Sequence, residues 1–171
     1  MWLGGCALVR TTGSGAPGAS LEGVEVGPFA PASLRVHPLT HLERDPDRGV
    51  YLLVHVQLRD RWSDICKGVG VMHLALFQQT GLGGSGQEEQ LLQWQVDLSD
   101  LEKNAVFFDP ATQTYRFSLS GLPDWVKAMA PGTEGDQASS GRGKFRVQAR
   151  LTTVTPEGTE TVLVGELVVE R

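Results

Sequence analysis

Val50-Tyr51-Leu52-Leu53-Val54-His55-Val56-Gln57-Leu58-Arg59 carries the strongest periodic signal in this chain. Every even position is Val or Leu, and the odd positions turn polar from His55 onward. Side chains of an extended backbone alternate between two faces, so a period of two describes a strand with one face buried. A helix would scatter the same residues around its circumference. Asp45-Pro46-Asp47-Arg48-Gly49 precedes the run and supplies the residues of a tight turn.

The same rhythm recurs on both sides of this segment. Residues 34–39 read as a short strand broken by Pro38, which suits a sheet edge. Residues 69–77 form a nearly continuous apolar run, as expected of a strand buried on both faces. Leu92, Trp94, Val96 and Leu98 alternate with polar residues, as do Tyr115, Phe117 and Leu119, and Phe145, Val147, Ala149 and Leu151. Val162, Val164 and Val168 share a face of the last strand. Thr155-Pro156-Glu157-Gly158 reads as the turn of a final hairpin, and Asp109-Pro110-Ala111-Thr112 as another turn. Two short helices are expected, one over residues 99–105 capped by Ser99 and one over residues 123–129 opened by Pro123. Trp125 in the second reads as a plug over one end of the core.

These segments predict an all-β fold: a Greek-key β-sandwich of about 7–8 antiparallel strands with one or two short helices. An immunoglobulin-like arrangement is the expected topology, without the Cys-Trp-Cys pattern of antibody domains. The composition agrees, because 21 Gly and 9 Pro favour turns and loops over helices. A chain of 171 residues is enough for one ordinary domain. Residues 81–86 and 132–143 are polar and glycine-rich and read as projecting loops.

The net charge is −5, and Lys and Arg are scattered, the densest group being Arg142, Lys144 and Arg146. A surface that tracks phosphates needs a basic excess, so nucleic acid is not an expected partner. No run approaches the ~20 apolar residues required to span a bilayer. The expected organisation is residues 1–6 as an address, 7–33 as a flexible linker rich in Gly, Ser, Ala and Pro, and 34–171 as the sandwich. Such a linker spans about 30 Å as a coil, and its Leu21, Val24, Val26 and Phe29 are apolar enough to dock on the domain.

Leu3-Gly4-Gly5-Cys6-Ala7 resembles a bacterial lipobox, in which small residues precede a cysteine that is lipidated. The resemblance implies an uncharacterised bacterial lipoprotein, anchored at Cys6 and held in the cell envelope. It also implies an apolar signal stretch upstream of Met1, since only five residues precede Cys6. Lipid on that cysteine would hold the domain to a membrane, with the linker as a stand-off. The alternative is a cytoplasmic protein in which Cys6 is incidental. With Cys6 lipidated, Cys66 is an unpaired, covered thiol.

Residues 58–71, Leu-Arg-Asp-Arg-Trp-Ser-Asp-Ile-Cys-Lys-Gly-Val-Gly-Val, resemble the strand–Asp–turn–Gly–strand pattern of transthyretin-like and carboxypeptidase-regulatory-like modules. Those are non-catalytic β-sandwiches of bacterial envelope proteins. Ser63 and Asp64 stand where that family usually has Gly. The resemblance implies a tight connection between two core strands.

Candidate chemistry is sparse. Asp60 and Asp64 with Asp97 and Asp100 resemble the calcium loops of a C2 domain, although Asp97 and Asp100 are three apart instead of two. The competing reading is that each Asp caps a turn or helix. His37 and His41 fall on one face of an extended segment, and His55 and His73 fall in consecutive strands that could be neighbours. Local hydrogen bonding is the simpler role for all four. The sequence has no Gly-x-Ser-x-Gly elbow, and its glycine-rich residues 81–86 lack the Lys of a phosphate loop. The expectation is a non-catalytic module that needs no cofactor and holds a protein or glycan partner through its loops. A calcium- or transition-metal-dependent module and an enzyme of unreadable class are the alternatives.

Overall fold

The structure is a computed structural model that describes residues 27, 29–80, 87–131 and 143–170. Cys6, nearly all of the expected linker, and the glycine-rich residues 81–86 and 132–142 lie outside the described residues. In chain order the elements are β1 (Ser33–Val36), β2 (His41–Asp45), β3 (Gly49–Arg59), β4 (Ile65–Cys66), β5 (Val71–Thr80), β6 (Gln87–Asp97), α1 (Leu101–Phe107), β7 (Phe108–Asp109), β8 (Thr114–Leu119), α2 (Asp124–Lys127), β9 (Lys144–Val154) and β10 (Glu160–Glu170).

They build two antiparallel sheets packed face to face, so the all-β sandwich read from the sequence is the architecture. In one sheet β3 is central. β1 and β2 pair along one edge of it, β4 and β8 along the other, and β7 lies outside β8. The other sheet runs β10-β9-β5-β6. The chain crosses between sheets after β4, through α1 after β6, and again after β8.

The alternating residues meet between the sheets. Val54 stands opposite Phe117 and Val56 opposite Tyr115 in one sheet. In the other, Leu74 lies between Trp94 and Ala149, and Leu76 between Leu92 and Val147. All of these are buried. Asp45 Oδ1 accepts the Asp47 and Arg48 N–H groups in the β2–β3 turn. The Thr155 and Gly158 backbone bonds close the β9–β10 hairpin.

Three expectations need correction, and a fourth holds with its face now assigned. β3 is covered on both faces, since Tyr51, Leu53, His55 and Gln57 are buried as well as their even neighbours. β5 is the half-buried strand: Met72, Leu74 and Leu76 point inward, while His73, Ala75 and Phe77 are only half-buried. The cap of α1 is Asp100, not Ser99, because the Asp100 carboxylate takes the Glu102 and Lys103 N–H groups. In β10 the three valines do share a face, but it is the outer one: Val162, Val164 and Val168 are 39, 52 and 47% exposed. Apolar residues occupy both faces of β10, so periodicity alone cannot choose between them. Pairing with β9 does choose. It sets Leu163 beside Leu151, Leu167 beside Val147 and Val169 beside Phe145, all toward the core.

Gly165 sits on that inward face beside Ala149. A side-chain carbon there would stand 2.7 Å from the Leu34 carbonyl oxygen and 3.1 Å from Arg35 Cα. β1 therefore crosses directly beneath β10. Gly165→Ala is expected to cost about 1–3 kcal/mol through overpacking against backbone that cannot yield locally. Val164→Thr, on the outer face, is expected to stay within about 0.5 kcal/mol of wild type. Urea unfolding of both variants checks this assignment, and a reversed order of the two costs would refute it.

Candidate functional site

The expected acidic residues lie in the connections at one end of the sandwich, where β3 and β6 end and β5 and β8 begin. Asp60 is 4% exposed. Its Oδ1 accepts the Trp62 N–H at 2.9 Å and the Asp64 N–H at 3.0 Å, while its own N–H donates to the Asp64 carbonyl. Ser63 takes a left-handed backbone (φ 71°) at the turn where glycine is usual. The Asp60 carboxylate compensates by tying the turn together, and Arg59 Nη1 adds a bond to the Ser63 carbonyl. Asp97 Oδ1 accepts the Ser99 N–H, and Asp100 caps α1 and pairs with Lys103. Asp64 is exposed. Three of these four carboxylates thus serve local backbone, and among the described residues no group of three or more His, Cys, Asp or Glu side chains is placed to hold a metal ion. The calcium-loop resemblance gains no geometry from the fold.

The same end is organised by a buried polar node that the sequence did not flag. The Tyr115 hydroxyl donates to Asn104 Oδ1 at 2.9 Å, lies 3.2 Å from the Gly68 carbonyl, and accepts the Gly68 N–H at 3.0 Å. Asn104 Nδ2 donates to the carbonyls of Gly68 at 2.7 Å and Leu98 at 2.8 Å. One phenol and one amide thereby join β8, α1, the β4–β5 connection and the end of β6. Gly68 is tightly seated, since a side-chain carbon there would come 2.7 Å from Leu58 Cδ1 and 2.9 Å from Pro31 Cγ.

Asn104 and Phe107 of α1 turn inward, while Leu101 is 71% and Val106 is 73% exposed. Between α1 and the irregular segment leading into β1 lies a groove of about 520 Å³. Its walls include Phe29, Pro31, Val69, Leu101 and Ala105, and Asn104 and Gly68 form its base. Lys67 is the one charged lining residue among the described residues, and its ammonium rests 4.6 Å above the Phe108 ring. Phe29 also contacts the exposed Trp62 ring at 5.5 Å, and the Arg61 guanidinium lies 3.9 Å over that indole. Grooves that take ligands are concave and apolar with few polar groups, and this volume is within their ordinary range. Exposed large apolar side chains grouped around such a groove mark an interaction surface. A sequence signal existed in Leu101, Ala105 and Val106 on a short helix with a polar residue, Asn104, turned inward, but it becomes readable only once Asn104 has its partners.

The four histidines do not form one site: His37 and His41 lie beside His55, and His73 lies apart from them. His55 and His73 lie in different sheets, each on its sheet's outer face, so they are not neighbours. His55 Nδ1 bonds to Thr114 Oγ1 at 2.8 Å, and Thr114 continues through Thr112 to Asp109. The His41 ring stacks 6.5 Å from it, and the His37 N–H donates to the His55 carbonyl. Cys66 is an unpaired, half-buried thiol whose pKa is pushed up to about 11, by burial and then by Asp60. A thiol held protonated at neutral pH is a poor nucleophile. Trp125 is half-buried and meets Phe145 edge-on at 6.4 Å, in keeping with a plug over that part of the core.

Burial holds the His55 pKa below that of a free imidazole, and the nearby Arg116, His41 and His37 push the same way against a weaker pull from Asp109. His73 is lowered by burial and by Arg150. The unfolded chain therefore binds more protons at these sites than the folded one. Their contribution to stability is complete above about pH 6.5 and is lost as pH falls below it. His55→Gln is expected to flatten the decline in urea-unfolding free energy between about pH 6.5 and 5, where each such group contributes at most about 1.4 kcal/mol per pH unit. An unchanged slope would contradict the assignment. Tyr115→Phe is expected to cost about 1–3 kcal/mol, because it strips buried partners from Gly68 and Asn104, and to speed hydrogen exchange at the Gly68 amide. Comparison of this chain with protein-family models, with curated proteins and with solved structures finds no match.

Proposed function

We propose that this protein is a non-catalytic binding module that holds an apolar segment of a protein partner in the groove beside α1. The observation that supports this reading is the grouping of Phe29, Leu101 and Ala105 around a concavity with one cation among the described residues, Lys67, in its lining. A partner segment that fits carries an aromatic or branched aliphatic anchor for the groove and a carboxylate or backbone carbonyl for Lys67. Trp62, under Arg61 and beside Phe29, extends the contact surface, as aromatic and Arg side chains do at the centres of protein interfaces. Of the protein and glycan partners considered from the sequence, the apolar walls favour the protein.

The second part of the proposal is the address. Cys6 carries lipid, and the Gly/Ser/Ala/Pro-rich residues after it let the domain stand off the membrane in the cell envelope. Among the described residues no helix is long and apolar enough to cross a membrane. The support for the anchor is the lipobox-like run at residues 3–7.

Panning a short random-peptide library against the purified protein tests the groove. Enriched peptides are expected to pair an aromatic or Leu/Ile anchor with a nearby Asp or Glu, and Leu101→Glu is expected to weaken them at least about tenfold. No enrichment, or binding indifferent to Leu101→Glu and Phe29→Ser, would sink the groove reading. For the address, expression in a bacterial host is expected to place the protein in the membrane fraction, and Cys6→Ser to release it. Retention of the Ser variant on membranes would end the anchor proposal.

A further inference from the structure

The outer face of the β10-β9-β5-β6 sheet carries a second concavity that is chemically unlike the groove. Ala75, at the middle of β5, stands between Gln93 on β6 and Gln148 on β9. Its small side chain leaves a depression of about 280 Å³ walled by His73, Gln90, Gln93, Gln148, Arg150 and Thr152. The size is at the lower limit for small-molecule sites, suited to one monosaccharide unit.

The polar wall is ordered by its own hydrogen bonds. Gln90 Nε2 donates to Gln93 Oε1 at 3.1 Å, and Gln93 Nε2 lies 3.4 Å from His73 Nδ1. This chain leaves the Gln90 carbonyl oxygen and a second N–H on each amide directed away from the bonds already made. Burial and Arg150 together keep His73 in its neutral form at pH 7, so that it can accept the Gln93 N–H.

Arg150 stands directly beside His73 in the ladder. Its guanidinium has no carboxylate partner among the described residues. Arg146, on the same face of β9, is instead held by Glu88 and Glu166. Glu166 stands opposite Gln148, midway between the two arginines, but its carboxylate is taken up by Arg146, and among the described residues no ion pair joins it to Arg150.

We infer that this depression binds an acidic sugar, a pyranose carrying a carboxylate, with Arg150 on the carboxylate and the amides of Gln90, Gln93 and Gln148 on the ring hydroxyls. Each hydroxyl both donates and accepts, and so does each amide, which makes glutamine a matched partner for vicinal hydroxyls. A phosphate offers mostly acceptors at neutral pH and would leave most of the amide carbonyls without donors. An apolar peptide anchor finds only Ala75 as a wall. Arg150 presents the planar fork that pairs with carboxylate through two parallel bonds. Because Gln90 and Gln93 are already positioned by one another, less ordering of those two is needed on binding. The site lies on the sheet face and is independent of the groove beside α1.

The test is a titration of the full chain, followed by NMR or calorimetry, with trigalacturonic acid and with neutral galactotriose as the matched control. Submillimolar binding of the acidic trimer is expected, with the neutral trimer at least about tenfold weaker. Arg150→Gln is expected to remove that preference, and Gln93→Ala to weaken the acidic trimer severalfold; both side chains are exposed, and their circular dichroism and melting should match wild type. Leu101→Glu, in the groove, should leave the titration unchanged. The inference is overturned by no binding of the acidic trimer, by equal binding to Arg150→Gln, or by acetate competing as well as the sugar acid, which would mark a simple anion site.

Discussion

The hydrogen-bonded node of Tyr115, Asn104, Gly68 and Leu98 closes one end of the sandwich, and the candidate groove is built on it. Four separate stretches of chain meet there. Each buried polar atom in the node has a partner, which is what makes burial of a phenol and an amide tolerable inside a low-dielectric core. Asn104 faces inward because its amide is required there. Phe107 packs inward on the same side, and Val106, on the opposite side of the helix, faces outward. Exposed apolar surface on α1 is the other side of a buried polar contract between the helix and the strands.

The two sheets divide their work differently. The β3 sheet is covered on both faces near its centre, with Tyr51, Leu53, His55 and Gln57 withdrawn from water. Arg48 lies over the Tyr51 ring, and Thr114 holds the His55 imidazole. That sheet is a structural support. The β10-β9-β5-β6 sheet keeps one face on the core and turns the other to solvent, with glutamines, Thr152 and Arg150 around the small Ala75. Its outer face is the chemically varied surface of the molecule among the described residues. Sandwiches in which one sheet is anchored and the other presents side chains leave their ligand surface rigid, because strands fix side-chain direction more firmly than loops do.

Much of the strand content was legible because period-two alternation has a single physical cause, the pleat. The runs at residues 50–59, 92–98, 115–119 and 145–151 all became strands with the expected residues inward. The reading failed where that cause was ambiguous. β10 has apolar residues on both faces, and only its register with β9 selects Leu163, Leu167 and Val169 for the core. Ser99 and Asp100 are both good caps, and it is the Asp100 carboxylate that reaches the Glu102 and Lys103 N–H groups, while the Ser99 hydroxyl is buried without a partner among the described residues. The acidic residues were visible as a set, but their occupation with local backbone N–H groups was not. The groove was nearly silent in the sequence, since Phe29, Lys67 and Leu101 come from three distant segments.

The sequence by itself determined the fold class, the alternation of each unambiguous strand and the turns between them, because these depend on neighbours a few residues apart. Which face of β10 is buried, which strand is covered on both sides, and where Asn104, Lys67 and Arg150 point were decided only by the tertiary structure. Those outcomes depend on pairings between residues far apart in the chain, where one register or one hydrogen bond selects among arrangements that local chemistry leaves nearly equal.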